Sequence, residues 1–345
     1  MATDFSGCDY LGLARHPALI EAMNAAARRY GISATSSRWA LGWTEVHQQL
    51  EDAMADFMGT EAACILGAAY LGSAVYYASL AAERQVVFCD ETVHSNQFLG
   101  MRAEGLEVHT FRHLDVDDLK RKLLSHDGRP CIIATDGVYG ISGEIAPLRE
   151  LADLAVEVGA EFFVDDAHGF GVLGDTGRGS TELCGLSPER VTVLGSMSKA
   201  MGCGGGFLAG RAELVERFRH SAASSGSSLP PVPVAAACLE ALHLIRAEPE
   251  LRRALKHNER VMRSVLAEQG VGVAAEGCPI IAMLLADEHE AAKLADHFLS
   301  FGLRIPYFKY ASEPRTNMLR AAARSVYSRH DLERFAEAVR TRPGT

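Results

Sequence analysis

What most constrains this chain is the way its apolar runs alternate and how they end. Short stretches rich in β-branched or aromatic residues occur at 85–89, 108–111, 131–135, 161–164, 191–194 and 206–209. Between several of them lie helical patterns, such as Leu148, Leu151, Leu154, Ala155 and Val158, which repeat along one helix face. Alternation of this kind implies an α/β fold: a mostly parallel central sheet with helices on both faces. One run also shows where chemistry would sit. Phe162, Phe163 and Val164 lead straight into Asp165 and Asp166, as a central parallel strand does when it delivers polar groups to the carboxyl edge of a sheet, where ligands bind.

A length of 345 residues suits a large domain plus a smaller one. The regular pattern breaks at Ser224-Ser225-Gly226-Ser227-Ser228-Leu229-Pro230-Pro231. Beyond it, 234–247 and 250–269 read as long helices. They are followed by a strand-like 279–285, a helix near 288–301, a strand-like 303–306 and a final helix over 331–340, a small α+β domain. The expected division is an N-terminal segment 1–45, a large ligand-binding domain 46–232 and a small C-terminal domain 233–345.

The run Val191-Thr192-Val193-Leu194 stops at Gly195, and Ser196 and Ser198 then flank the approach to Lys199. Gly202 and three further glycines at 204–206 let backbone come close to a ligand. This pattern displays one amine for covalent chemistry. Some thirty residues upstream, Asp165 can hold a proton on a heteroaromatic nitrogen, and His168 can donate to a phenolic oxygen of the same ring. Pyridoxal phosphate requires both, together with a lysine that forms a Schiff base with its aldehyde. Read singly, each residue has a plainer role: an exposed loop lysine, a helix N-cap at Asp165, a surface turn histidine at His168.

Further motifs run in order along nearly the whole chain. They are Phe5-Ser6-Gly7-Cys8-Asp9-Tyr10-Leu11-Gly12-Leu13, Ser37-Arg38, His47-Gln48-Gln49-Leu50-Glu51, Asp136-Gly137-Val138-Tyr139 with Gly143 and Ala146-Pro147-Leu148, Gly177-Arg178-Gly179, Ser227-Ser228-Leu229-Pro230-Pro231 and Leu319-Arg320. With these the sequence resembles the α-oxoamine synthases, pyridoxal phosphate enzymes of fold type I (aspartate aminotransferase-like). The resemblance implies a reaction: condensation of an amino acid with an acyl thioester, on coenzyme A or an acyl carrier protein, with decarboxylation to an α-amino ketone. It also implies a homodimer with active sites at the interface.

The same resemblance assigns roles. Lys199 would hold the cofactor and move the Cα proton, Asp165 would pair with the ring nitrogen, and His168 would approach the phenolic oxygen. His94 would stack on the ring, with Asp136 also in the cofactor shell. Ala69 and Tyr70 belong to the turn whose amides receive the phosphate at a helix N-terminus. Ser196 and Ser198 would contact the phosphate or the lysine loop, and Ser227 and Ser228 would reach a phosphate across the dimer interface. Arg320 would clamp the substrate carboxylate with its planar fork, with Cys8 and Arg38 also on the substrate side.

Departures from the family pattern are concentrated around the substrate. Cys8 stands where an asparagine is usual, Gly140 where a serine is usual, Asp136 for a glutamate, Ala69 for a glycine, Ser73 for an asparagine and Tyr327 at about the place of a histidine. A specialised synthase with an unusual amino donor or acyl partner is the reading these changes support. Two alternatives stay open: a fold-type-I enzyme acting on an amino acid without acyl transfer (aldol cleavage, decarboxylation, racemisation or transamination), and a non-catalytic partner subunit, against which Lys199 argues. Nucleotide binding through the 202–206 glycines lacks the motif context it needs.

A net charge of −10 and a pI near 5.7 oppose a nucleic-acid binder. No stretch has the length of about 20 apolar residues that spans a bilayer, and the N-terminus lacks a basic start and an apolar run, so a cytoplasmic protein is expected. Eight scattered cysteines form no C-x-x-C pair, which argues against zinc and against a disulfide framework.

Overall fold

The computed structural model describes residues 2–307 and 317–343. The chain divides into two compact units. One comprises Met1–Gly12, Tyr139–Ile145 and Glu248–Thr345; the other, larger one comprises Leu13–Val138 and Ala146–Ala247. In chain order the strands are β1 (Thr3–Asp4), β2 (Ala62–Leu66), β3 (Val86–Asp90), β4 (Glu107–Phe111), β5 (Cys131–Asp136) and β6 (Glu161–Asp165). They continue with β7 (Thr192–Ser196), β8 (Gly206–Gly210), β9 (Ile280–Leu284), β10 (Leu303–Arg304) and β11 (Met318–Ala322).

The larger unit is built on a seven-stranded sheet of order β2-β8-β7-β6-β5-β3-β4. Its pairings from β4 to β7 are parallel, and β8 runs antiparallel between β7 and β2. All six strand-like runs expected in this part of the chain are strands. Strands β3, β5, β7 and β8 are buried at every position, as continuous apolar runs require when both faces of a sheet are covered. Neighbouring residues show the two layers directly. On β6, Phe163 stacks on Tyr76 at 4.0 Å. On β8, Leu208 joins the same cluster while its neighbour Phe207 turns the other way and meets Phe170 edge-on at 4.7 Å.

The strand β2 has no counterpart in the sequence reading. Its residues Ala-Ala-Cys-Ile-Leu are weak strand formers, and their conformation is set by antiparallel pairing with β8 from Ala62↔Gly210 to Leu66↔Gly206.

Helix α1 (Pro17–Tyr30) and helix α2 (Glu45–Met58) also lie in this unit. The second is held at one end by a Thr44–His47 capping box and at the other by Gly59 in the left-handed region, φ 69°. The long helix Val232–Ala247 packs on both α1 and α2 and so belongs to the larger unit. The unit boundary therefore falls at 247/248, fifteen residues beyond the expected 232/233. Pro230 and Pro231 end the regular pattern because they start this helix. The expected N-terminal segment is likewise divided, with residues up to Gly12 in the smaller unit and the rest in the larger.

The smaller unit carries two two-stranded sheets, β1 parallel to β10 and β9 antiparallel to β11. Helices Glu250–Glu268, Glu288–Ser300 and Arg329–Arg340 accompany them. Tyr327, placed where the family pattern has a histidine, is a core residue here. Its ring stacks on Phe5 at 4.1 Å, and its hydroxyl donates to the carbonyls of Asp4 and Ala322 at 2.9 Å each.

Candidate active site

Four parallel strands of the larger unit end in polar side chains at one sheet edge: Asp90 on β3, Asp136 on β5, Asp165 on β6 and Ser196 on β7. They do not share one task. Asp90 accepts from the amides of Thr92 and Leu114 at 2.8 Å each and from His113 Nδ1 at 3.0 Å. Burial works against its ionisation, but these donors outweigh it and hold the carboxyl below the usual range. It staples a loop.

Asp136 and Asp165 are different. They are register partners on neighbouring strands, 6% and 7% exposed, and among the described residues neither forms an ion pair. Asp136 Oδ1 accepts from Gln97 Nε2 at 2.8 Å, and its Oδ2 accepts from the His94 amide at 3.1 Å. Burial, together with the charge of Asp165, pushes the Asp136 carboxyl well above the carboxylate range. Asp165 Oδ1 accepts from the Ala167 amide at 3.1 Å, and Oδ2 accepts from Asn96 Nδ2 at 3.4 Å. Two adjacent buried carboxyls without a counter-cation are costly, and a cationic group between them and solvent would relieve the cost.

His94 caps the helix Ser95–Ala103, its ring Nδ1 accepting from the Asn96 amide at 3.3 Å and lying 2.8 Å from Asn96 Oδ1. The residue is exposed, and Tyr70 approaches its ring edge-on at 6.1 Å. Asn96 thus touches both His94 and Asp165, and Gln97, which also accepts from Tyr77 Oη at 3.0 Å, holds Asp136. Neither amide side chain was singled out in the sequence. Nothing there distinguishes a buried first-turn amide from a solvated one.

Ala69–Leu71 forms a single helical turn that runs into the helix Gly72–Leu80. Among the described residues, the amides of Ala69 and Tyr70 meet no acceptor, the usual condition of a helix start and the one that favours an anion. The turn lies against the start of β8. A Cβ on Gly206 would come within 2.3 Å of Ala69 Cα, so only glycine permits this approach. Alongside, Met197 N donates to Gly205 O at 3.1 Å, and Ser196 Oγ lies 2.9 Å from Ser198 Oγ. Lys199 follows in this turn, half-buried, with its carbonyl accepting from Gly202 N at 2.9 Å. His168 is half-buried in the turn after Asp165. Ser227 and Ser228 sit beside Gly67 of the same chain, where a Cβ on Gly67 would meet Ser228 O at 2.5 Å.

The sheet edge therefore gathers Ala69, Tyr70, His94, Asp136, Asp165, His168, Ser196, Ser198 and Lys199 in one region of one unit. Arg38 is occupied elsewhere. Its side chain is buried, with Nη2 2.6 Å from Glu51 Oε1 and 2.9 Å from Ile65 O, and Glu51 is also held by Arg219 at 3.1 Å. Glu51 and its two arginines form an ion cluster behind β2. Arg38→Ala is expected to cost about 3 kcal/mol or more of stability, because it leaves part of a buried carboxylate uncompensated. Chemical denaturation measures this loss, while KM for any amino-acid substrate should stay unchanged.

In the smaller unit, Arg320 on β11 donates from Nε to Gly140 O at 2.6 Å and from Nη1 to Ser6 O at 2.9 Å. Its Nη2 lies 3.5 Å from Cys8 Sγ and 3.4 Å from Tyr10 Oη. Two departures from the family pattern, Cys8 and Gly140, thus converge on one guanidinium. Tyr10 is fully buried there, and burial pushes its hydroxyl well above the usual range.

Asp166, next to Asp165, faces away into a cage. Cβ atoms on Gly137, Gly169 or Gly179 would each come within 2.5 Å of its carboxylate oxygens, and Oδ2 accepts from Ser180 N at 2.7 Å. Burial pushes its carboxyl up to about 7. The folded state therefore keeps a proton that the unfolded chain releases near pH 4. The stability this confers is complete below pH 4 and is lost as pH rises towards 7. Asp166→Asn has no proton to lose. Between pH 4 and 7.5 the wild type should lose roughly 4 kcal/mol relative to this variant, as read from paired denaturation curves.

Among the described residues, the buried acid pair has no ion-pair partner and the amides of Ala69 and Tyr70 meet no acceptor, which fits the ring nitrogen and phosphate of pyridoxal phosphate. The family model described as aminotransferase class I and II matches residues 2–339. Fold and site define a pyridoxal phosphate enzyme of fold type I. Among relatives, an 8-amino-7-oxononanoate synthase of Symbiobacterium thermophilum is 35% identical over 335 residues, covering 96% of this chain and 85% of its own. A serine palmitoyltransferase from S. paucimobilis, solved with a bound pyridoxal phosphate–myriocin aldimine, has a TM-score of 0.93 at 27% identity, covering 98% of this chain and 87% of its own. A serine palmitoyltransferase solved with its pyridoxal phosphate internal aldimine gives the same values. The chain belongs to the aminotransferase class I and II family and, within it, to the α-oxoamine synthases.

Proposed function

We propose that this protein condenses an amino acid with an acyl thioester, carried on coenzyme A or a carrier protein, and releases carbon dioxide to form an α-amino ketone. We further propose that it works as a homodimer in the cytoplasm. The observation that carries the reading is the buried acid pair Asp136–Asp165, beside the strand that leads to Lys199. Pyridoxal phosphate, when bound, supplies an electron-poor ring that takes up charge developed at the amino-acid Cα.

Lys199 would hold the cofactor aldehyde and would take the Cα proton of the amino acid, work worth about 10² to 10⁴ in rate. Asp165 would hold a proton at the ring nitrogen, and Asp136 keeps His94 in place through the backbone amide. His94 would lie against the cofactor ring, and His168 would donate to its phenolic oxygen. The amides of Ala69 and Tyr70, with Ser196 and Ser198, would receive the phosphate, and Ser227 and Ser228 would add a hydroxyl across the dimer interface. Arg320 holds the substrate carboxylate, with Cys8 beside it. Loss of carbon dioxide makes the condensation effectively one-way.

The second reading, chemistry on an amino acid without acyl transfer, draws its support from Cys8 and Gly140 at Arg320. One assay separates them. Holoenzyme with a panel of amino acids and acyl-coenzyme A thioesters should release free thiol only when an amino acid is present. Carbon dioxide or amine release without any thiol would establish the second reading instead.

A further inference from the structure

The first turn of the helix Ser95–Ala103 carries two adjacent carboxamides, and each meets one carboxyl of the acid pair. Gln97 is oriented by its neighbours: Nε2 donates to Asp136 Oδ1 at 2.8 Å, and Oε1 accepts from Tyr77 Oη at 3.0 Å. Asn96, only 4% exposed, is placed in the same sense. Its Nδ2 donates to Asp165 Oδ2 at 3.4 Å, and turning the group over would set its carbonyl oxygen against a carboxylate oxygen. Oδ1 therefore faces His94, with Nδ1 of the imidazole 2.8 Å away.

Two groups of Asn96 reach that one nitrogen and make opposite demands on it. The main-chain N–H, at 3.3 Å, asks for a lone pair; Oδ1, at 2.8 Å, asks for a proton. A neutral ring satisfies one of them. We propose that Asn96 is a positioning residue of the site: oriented by Asp165, it holds His94 as the Nδ1–H tautomer, which donates to Oδ1 through the shorter contact and keeps Nε2 as its acceptor. The hydrogen bond made at one ring nitrogen sets what the other can do. Because the His94 amide is tied to Asp136 Oδ2 at 3.1 Å, the residue is fixed at its main chain by one member of the acid pair and at its ring, through Asn96, by the other.

The tautomer belongs to the free protein, whereas its effect on turnover rests on the proposed place of His94 against the cofactor. The test begins on full-length apo protein carrying isotope-labelled histidine, above the range in which imidazoles titrate, with the His94 signals identified by their loss in His94→Gln. Long-range proton–nitrogen correlation should find the proton on Nδ1 in the wild type and mostly on Nε2 in Asn96→Ala. Asn96→Asp keeps an acceptor for the ring without a donor for Asp165, and should retain the Nδ1–H form. In holoenzyme, Asn96→Ala should lower kcat about 10- to 100-fold, the scale on which partners that orient a functional imidazole act, with KM for the acyl thioester unchanged. An Nε2–H ring in the wild type overturns the assignment whatever the variants do. An Nδ1–H form that survives Asn96→Ala overturns Asn96 as its cause. A tautomer that changes while kcat holds overturns the bearing of His94 on the reaction and supports the relay from Asp165 to the ring.

Discussion

Lys199→Ala should yield a folded protein that borohydride no longer tags with a pyridoxyl group and whose turnover has dropped by about 10³-fold or more. The proton transfer assigned to the lysine is itself worth about 10² to 10⁴, and loss of covalent attachment adds to that. The turn should survive the change. It is held by main-chain bonds, Gly202 to Lys199 O and Cys203 to Met197 O, which alanine retains, so stability should move by no more than about 1 kcal/mol. Mass spectrometry of the reduced holoenzyme reads the tag directly. A pyridoxyl group that persists on another lysine would remove Lys199 from the site altogether.

Much of this site was legible because the inner strands of a parallel sheet write the same signature: a buried run, largely apolar, that stops at a polar residue. Glu161–Asp165 and Thr192–Ser196 carry it openly, and Asp165, Ser196 and Lys199 lie where the signature implies. What escaped depends on contacts distant in sequence. Residues 62–66 form a strand only because β8 pairs with them. Asn96 and Gln97 look like ordinary polar residues at a helix start. Only the fold brings one to Asp165 and the other to Asp136. Arg38 shows the same dependence on the fold: a buried Glu51, thirteen residues on, holds its Nη2, and the sequence motif gives no sign of that pair. Pro230 and Pro231 misled in another way, since a break in periodicity marks a turn and need not mark a boundary between units.

Asp165 is where the plain and the catalytic readings of one residue make opposite predictions. Its Oδ1 accepts from the Ala167 amide two residues on, which is also what a capping acid does. Asparagine caps as well as aspartate. If capping were the whole of its role, Asp165→Asn would leave turnover intact. If instead the carboxylate holds a proton at the ring nitrogen, the neutral amide cannot, and turnover should fall by about 10² to 10³, the scale of losing one charge-stabilising group. Borohydride should still tag Lys199 in this variant, a signature that separates it from Lys199→Ala. A second consequence reaches the free protein. Asp136 is raised by burial and by the charge of Asp165, so the stability tied to its proton is lost as pH rises through its folded-state titration. Removing the neighbouring charge lets Asp136 ionise with less penalty, and apo Asp165→Asn should therefore lose less stability than the wild type as pH is raised. Intact turnover would return Asp165 to the role of a cap and leave the ring nitrogen without its partner.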